Sequence, residues 1–170
     1  YVTAQAQEAL KRTKIFLGGA GIGSYIAEAI LRVGIENITI ADGDKVELSN
    51  LNRQNYTSKD IGHYKAEVLS RRLLDINPNA NIKYHTEYIN KENVHDMVQG
   101  ADLAINALDY QTDIPFVFDS VCKEKGIPVL HPYNLGWAAM VIVVSPESDG
   151  FIPQGNIDCN HFEIKVVEKA

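Results

Sequence analysis

Apolar and polar positions along this chain alternate in blocks. Residues 14–17, Lys-Ile-Phe-Leu, form a short apolar run that stops at Gly18-Gly19-Ala20-Gly21-Ile22-Gly23. A run of that length reads as a buried strand, and a strand running into glycines opens a nucleotide-binding βα unit. Ahead of it, Ala4–Arg12 has helix-forming composition. Behind it, Ser24 is placed to cap a helix whose apolar face is Ile26, Ala27, Ala29, Ile30 and Val33, with Gly34 as its stop signal. Asn37–Ala41 then predicts a second strand, which delivers Asp42 at its carboxyl end.

The alternation continues. Ala66, Leu69, Leu73 and Leu74 predict a helix over Lys65–Leu74, ended by the turn cluster Asn77–Asn81. Ile82–His85 is a weak strand, Asn93–Val98 a short helix, and Leu103–Ala107 a buried strand leading to Asp109. Phe116–Lys125 predicts a helix stopped by Gly126, and Val129–His131 the next strand. No helix separates that strand from Trp137–Val144, whose β-branched run predicts an antiparallel strand at or near the sheet edge. After Ser145 the pattern is broken by Pro146, Gly150, Pro153 and Gly155, and only Phe162–Val167 again has strand character. The expected fold is α/β, a Rossmann-like doubly wound, mostly parallel sheet with helices on both faces and an antiparallel C-terminal extension. Residues 1–146 are expected to form the nucleotide-binding domain and 147–170 an extension of it, either cut short or lacking a loop around Ser148–Phe151.

Composition narrows the partners. The 170 residues are 45% hydrophobic and 22% charged, enough for one domain with a sizeable core. A net charge of −6 argues against a nucleic-acid or anionic-membrane surface, so any phosphate chemistry must be local. No apolar run approaches the roughly 20 residues of a membrane span, and no signal peptide opens the sequence, which predicts a cytoplasmic protein. Cys122 and Cys159 make neither a disulfide framework nor a four-cysteine zinc site.

Chemistry concentrates in Asp42–Gln54, Asp-Gly-Asp-Lys-Val-Glu-Leu-Ser-Asn-Leu-Asn-Arg-Gln, where acids, amides and an arginine gather at a strand end. The glycine loop by itself says less. Counted from Gly18 it reads Gly-x-Ala-x-x-Gly, and counted from Gly19 it reads Gly-x-Gly-x-x-Ser. Either way, backbone N–H groups of Gly19, Gly21 and Gly23 at a helix N-terminus favour an anion. Asp42 follows at about the 20-residue spacing of an acid that holds a ribose hydroxyl. Arg53 offers a planar fork and Lys65 a point charge to phosphate oxygens. Asp109, beyond the strand expected beside the first, suits a magnesium ion bridging carboxylate and phosphate.

Asp42-x-Asp44-x-Val-Glu-x-Ser-Asn-Leu-Asn-Arg-Gln, preceded by Gly-Ile-Gly-Ser and followed by Gly62-x-x-Lys65, resembles the ThiF/MoeB/HesA family, the adenylating fold of ubiquitin-like-protein activating enzymes. Asn77-Pro78, Asp109 and Gly126-x-Pro128 follow in the family's order. The resemblance implies an adenylyltransferase that uses ATP and Mg2+ to activate the C-terminal glycine of a ubiquitin-like or sulfur-carrier protein, and a homodimer. It places Arg53 and Lys65 on the phosphates, Asp109 on magnesium and Asp42 on the ribose, with Asp44, Asn50 and Gln54 completing the site. Adenine is expected against backbone groups around Tyr88-Ile89. The chain departs from the family at Ala20 and at Tyr110, where an asparagine is usual. Only Arg12 stands ahead of the first strand, and the zinc-binding Cys-x-x-Cys pairs are missing.

Other readings stay open at this point. Asp42 or Asp44 can cap a turn, Arg53 and Lys65 can be solvated surface charges, and Asp109 can cap the helix after it. Cys122 reads as a small core hydrophobe, Cys159 as the better thiol candidate, and neither His131 nor His161 has metal-ligand spacing. At the level of function, a tRNA-modifying dehydratase and a peptide-adenylating enzyme share the fold. A non-catalytic scaffold subunit fits the departures, and an NAD(P)-dependent oxidoreductase would need only the glycines and the acid.

Overall fold

Ile15, Phe16 and Leu17 point alternately to two sides of one strand, and all three are buried. A strand can be apolar on both faces only if helices cover both. In the computed structural model, which describes residues 2–148, that strand is β1 (Lys14–Gly18), at the middle of a six-stranded sheet. The others are β2 (Asn37–Ala41), β3 (Asn81–His85), β4 (Leu103–Asn106), β5 (Val129–Leu135) and β6 (Ala138–Val144), in the spatial order β3-β2-β1-β4-β5-β6. Pairing is parallel from β3 to β5, and β6 returns antiparallel on β5. The fold class and the antiparallel edge strand are as expected.

The helices are α1 (Ala4–Arg12), α2 (Gly23–Val33), α3 (Lys65–Ile76), α4 (Val94–Met97) and α5 (Ile114–Glu124). Ile15, Leu17, Ile38, Ile40 and Ile105 meet Ala27 and Leu31 of α2 and Ala66, Leu69 and Leu73 of α3 on one face. Phe16 and Ala104 meet Val94 and Met97 of α4 and Phe118, Val121 and Cys122 of α5 on the other. Each such aliphatic side chain contributes about 1.5–3 kcal/mol on burial, so the two faces lock the strand ends in place.

Several local expectations are corrected. Ser24 does not cap α2, because the helix begins two residues earlier, with Ile22 at its N-cap; Ser24 is buried inside the first turn, and its hydroxyl donates to the Gly21 carbonyl at 2.7 Å. Ala29 and Val33 are exposed, and the buried stripe is Ala27 and Leu31 flanked by Ile26 and Ile30. β5 runs to Leu135 rather than stopping at His131, since β6 pairs with it along seven residues. The N-cap residue of α5 is Asp113, which removes Asp109 from that role. The strand expected at Phe162–Val167, together with Cys159 and His161, lies outside the described residues, as does most of the expected extension 147–170.

Candidate nucleotide site

The chain steps from β1 outward through β2 to β3, then crosses back to β4 on the other side of β1. This reversal leaves a crevice at the carboxyl ends of β1 and β4, where open parallel sheets bind ligands. The glycine loop starts there. Gly19 has φ +92, and a Cβ on it would stand 2.4 Å from the Ala107 carbonyl oxygen, so only glycine lets the loop after β1 pass the loop after β4. The Ala107 N–H in turn donates to Gly18 O at 2.8 Å.

Asp42 ties the next strand to the same loop. Its Oδ2 accepts from the Ala20 N–H at 2.7 Å and its Oδ1 from the Asp44 N–H at 2.8 Å. Burial raises its pKa against the opposing pull of those two N–H groups. Two donors leave lone pairs on a carboxylate that can accept more, so the arrangement is compatible with a ribose hydroxyl. Ala20, where a glycine is common, is fully buried and supplies this contact through its backbone.

Lys65 is a buried lysine, not a solvated one. Its Nζ donates to Asp44 Oδ2 at 2.8 Å, and its backbone N–H donates to the Asp44 carbonyl at 2.9 Å. The Tyr88 hydroxyl donates to Asp44 Oδ1 at 2.7 Å. Burial pulls the Asp44 pKa up, but Lys65 and Tyr88 outweigh it and hold the carboxyl below its usual value. One of three ammonium donors is used in this pair, leaving two for a ligand. The Tyr88 ring lies over Gly43, where a Cβ would meet it at 2.6 Å. The Ile89 side chain is buried under Gly18, which leaves its backbone as the part that can meet a base.

Arg53 is exposed and donates to Ser49 O and Asn52 Oδ1 within its own turn. Asn50 is buried as a local brace: its Oδ1 accepts from the Glu47 N–H at 2.9 Å, and its carbonyl accepts from the Arg53 and Gln54 N–H groups. Gln54 packs against Gly21, and its Oε1 is a buried acceptor with no partner among the described residues. Asp109 is exposed beyond β4 and belongs to no ion pair among those residues. Magnesium commonly takes one or two carboxylates with phosphates and waters, so a single exposed carboxylate two residues beyond Ala107, which packs on Gly19, fits it.

Two residues that sequence reasoning missed hold this wall together. The Tyr56 hydroxyl donates to Ala20 O at 2.7 Å, and the Asn55 N–H donates to Ser24 Oγ at 3.1 Å. The Asn55 side chain also donates to Glu28, which Arg32 and Arg72 flank and whose carboxyl these partners lower to about 2. Beneath the loop Val46, Tyr56 and Val68 form a small apolar cluster with Leu51. Within a stretch singled out for its polar residues, Val46 and Leu51 are the apolar anchors. Cys122 is fully buried, with its thiol pushed up to about 12 by burial, which supports the core reading. A cavity of about 640 Å3 opens at the far end of the sheet, among Lys11, Lys14, Glu36, Asn37, Asn81 and Asp102. It lies at the amino ends of β1–β3, away from the glycine loop, and has no part in this chemistry.

Residues 1–164 match the family model described as "ThiF family". The chain belongs to the ThiF family. It is 34% identical over 146 residues to the sulfur carrier protein ThiS adenylyltransferase of Bacillus subtilis, covering 84% of this chain and 43% of that protein. It is 38% identical over 116 residues to the tRNA threonylcarbamoyladenosine dehydratase of Escherichia coli, covering 67% and 43%. Among solved structures, E. coli MccB with ATP superposes with a TM-score of 0.78 at 24% identity, covering 96% of this chain and 50% of that one. That likeness shows the fold. The chain spans less than half the length of these curated relatives.

Proposed function

We propose that this ThiF-family chain is an ATP- and magnesium-dependent adenylyltransferase that activates the C-terminal carboxylate of a ubiquitin-like or sulfur-carrier protein. The observation that carries the reading is the Asp42 carboxylate bonded to the Ala20 N–H, with Lys65 paired to Asp44 behind it, which sets an acid, a cation and the glycine loop around one crevice. Relatives named as sulfur-carrier adenylyltransferases support it.

In this reaction a carboxylate oxygen attacks the α-phosphorus of ATP, the α–β anhydride bond breaks, and pyrophosphate leaves. The Gly21 and Gly23 N–H groups at the start of α2 bind phosphate oxygens, whereas the Gly19 and Ala20 N–H groups, contrary to expectation for Gly19, are engaged by Ala41 O and Asp42 Oδ2; Asp42 holds the ribose. Lys65, with two free donors, and Arg53, free to swing from its own turn, neutralise charge that grows as pyrophosphate departs. Asp109 would hold magnesium, which supplies further charge neutralisation on the phosphates.

The test is exchange of labelled pyrophosphate into ATP in the presence of candidate carrier proteins. Lys65→Ala and Arg53→Ala should each slow exchange by about 100-fold or more, the usual cost of one preorganised charge-stabilising donor. Unchanged exchange in both variants would overturn the phosphate assignment. The departures at Ala20 and Tyr110 also favour a second reading, a non-catalytic scaffold subunit that keeps the nucleotide fold. That reading predicts ATP binding without exchange under any carrier. We further propose a cytoplasmic homodimer, which sedimentation with and without ATP would test.

A further inference from the structure

Five polar side chains form a buried chain on the β4–β5 side that the reaction above does not use. Asn106 ends β4 and donates through Nδ2 to Asp119 Oδ1 at 2.9 Å and to Pro115 O at 2.9 Å. Asp119 Oδ2 stands 3.1 Å from His131 Nε2, a close electrostatic pairing rather than a well-aligned hydrogen bond. His131 Nδ1 is 3.1 Å from the Tyr110 hydroxyl, which is 2.7 Å from the Tyr133 hydroxyl. Asn106, Asp119 and His131 are almost wholly buried. The Tyr110 ring stacks on Tyr133, with centroids 6.1 Å apart, and packs against Phe116.

The carboxylate beside Nε2 favours the proton on that nitrogen, so Nδ1 is left as an acceptor and the Tyr110 hydroxyl donates to it. The loop carrying Asp109 is then anchored on both sides: Ala107 is bonded to Gly18 O, and Tyr110 is bonded into the core. An exposed acid between two anchors only a few residues apart has little freedom, although its carboxylate forms no ion pair among the described residues.

We propose that Asp119, His131 and Tyr110 are a positioning relay for Asp109, holding it in the geometry that magnesium and the ATP phosphates require. This rests on the adenylation reading, and Tyr110 acts through Asp109 rather than on substrate.

The experiment titrates Mn2+ into the full chain with a non-hydrolysable ATP analogue and reads free Mn2+ by electron paramagnetic resonance, with no turnover. Tyr110→Phe keeps the ring packing and deletes the hydroxyl; it should weaken Mn2+ binding about fivefold, on the order of one hydrogen bond. Its affinity for the analogue in EDTA should stay within twofold of wild type. In pyrophosphate exchange the same variant should need more Mg2+ for half-maximal rate, with KM for the carrier unchanged. Asp119→Asn, which presents an amide N–H to Nε2 and so moves the ring proton to Nδ1, should weaken Mn2+ binding by a smaller factor. Equal Mn2+ affinity in wild type and Tyr110→Phe would overturn the relay while leaving the adenylation reading intact. A wild-type chain that binds neither analogue nor Mn2+ would overturn both.

Discussion

The two sides of the crevice are held by different means. On the β2 side, Asp42, Asn50 and Tyr56 bond to backbone groups, Asp44 pairs with Lys65 and Tyr88, and the loop they form stands on a small cluster of Val46, Tyr56 and Val68. On the β4 side the loop around Asp109 is tied through Tyr110 to His131, with Asn106 and Asp119 in the interior and Tyr133 at its edge. A wall braced largely through backbone groups keeps its shape through many substitutions at a distance. One braced by a buried polar chain fails when any member leaves a partner unpaired.

That contrast can be broken most sharply at His131. Replacement by alanine opens a cavity beside a buried carboxylate, and we expect a loss of about 3 kcal/mol or more in urea unfolding. A loss under 1 kcal/mol would mean that the β4 wall does not depend on its interior chain. Gly19→Ala strikes where the two walls meet. The left-handed φ and the clash with Ala107 O should cost on the order of 3 kcal/mol and abolish ATP binding, measured by denaturation and equilibrium dialysis. Tyr56→Phe removes one donor from the β2 wall and leaves Ala20 O without it. It should cost about 1 kcal/mol and leave Mn2+ affinity in the presence of nucleotide within twofold, since Asp109 stands on the other wall.

The smallest effect concerns acid. Glu28 is lowered from 4.5 to about 2 by Arg72, Asn55 and Arg32, with burial opposing them. A depressed carboxyl stabilises the fold fully above the unfolded value and loses that contribution as pH falls through the folded one. The stability curve should therefore drop between about pH 4.5 and pH 2, and the Glu28→Gln variant should show a shallower drop over that window. Identical slopes in the two proteins would remove Glu28 from the acid response.

Much of the β2 wall could be read before any coordinates, because its glycines, acids and Lys65 keep a recognisable spacing, even though the bonds that join them span many residues. The Asp44–Lys65 pair was less visible. Both residues were assigned to the site separately, and only the return of α3 beside the loop brings them to 2.8 Å. Tyr88 and Gly43 behave in the same way. On the β4 wall Asp109 was legible and its support was not. His131 had no metal-ligand spacing and Asp119 sat unremarked on a helix, since nothing local marks a histidine and an acid that meet only when α5 packs on β5.

The sequence by itself determined the alternation of strands and helices, the end of the sheet at which the polar residues gather, and the family to which they belong. These follow from short apolar runs, turn residues and spacings within one βα unit, all local properties of the chain. Tertiary structure alone decided which charges are engaged, that Lys65 is buried against Asp44, and that a chain from Asn106 to Tyr133 braces the far wall. Those contacts join residues from separate elements, and no local pattern sets the distance between groups that meet only after the sheet and its covering helices have packed.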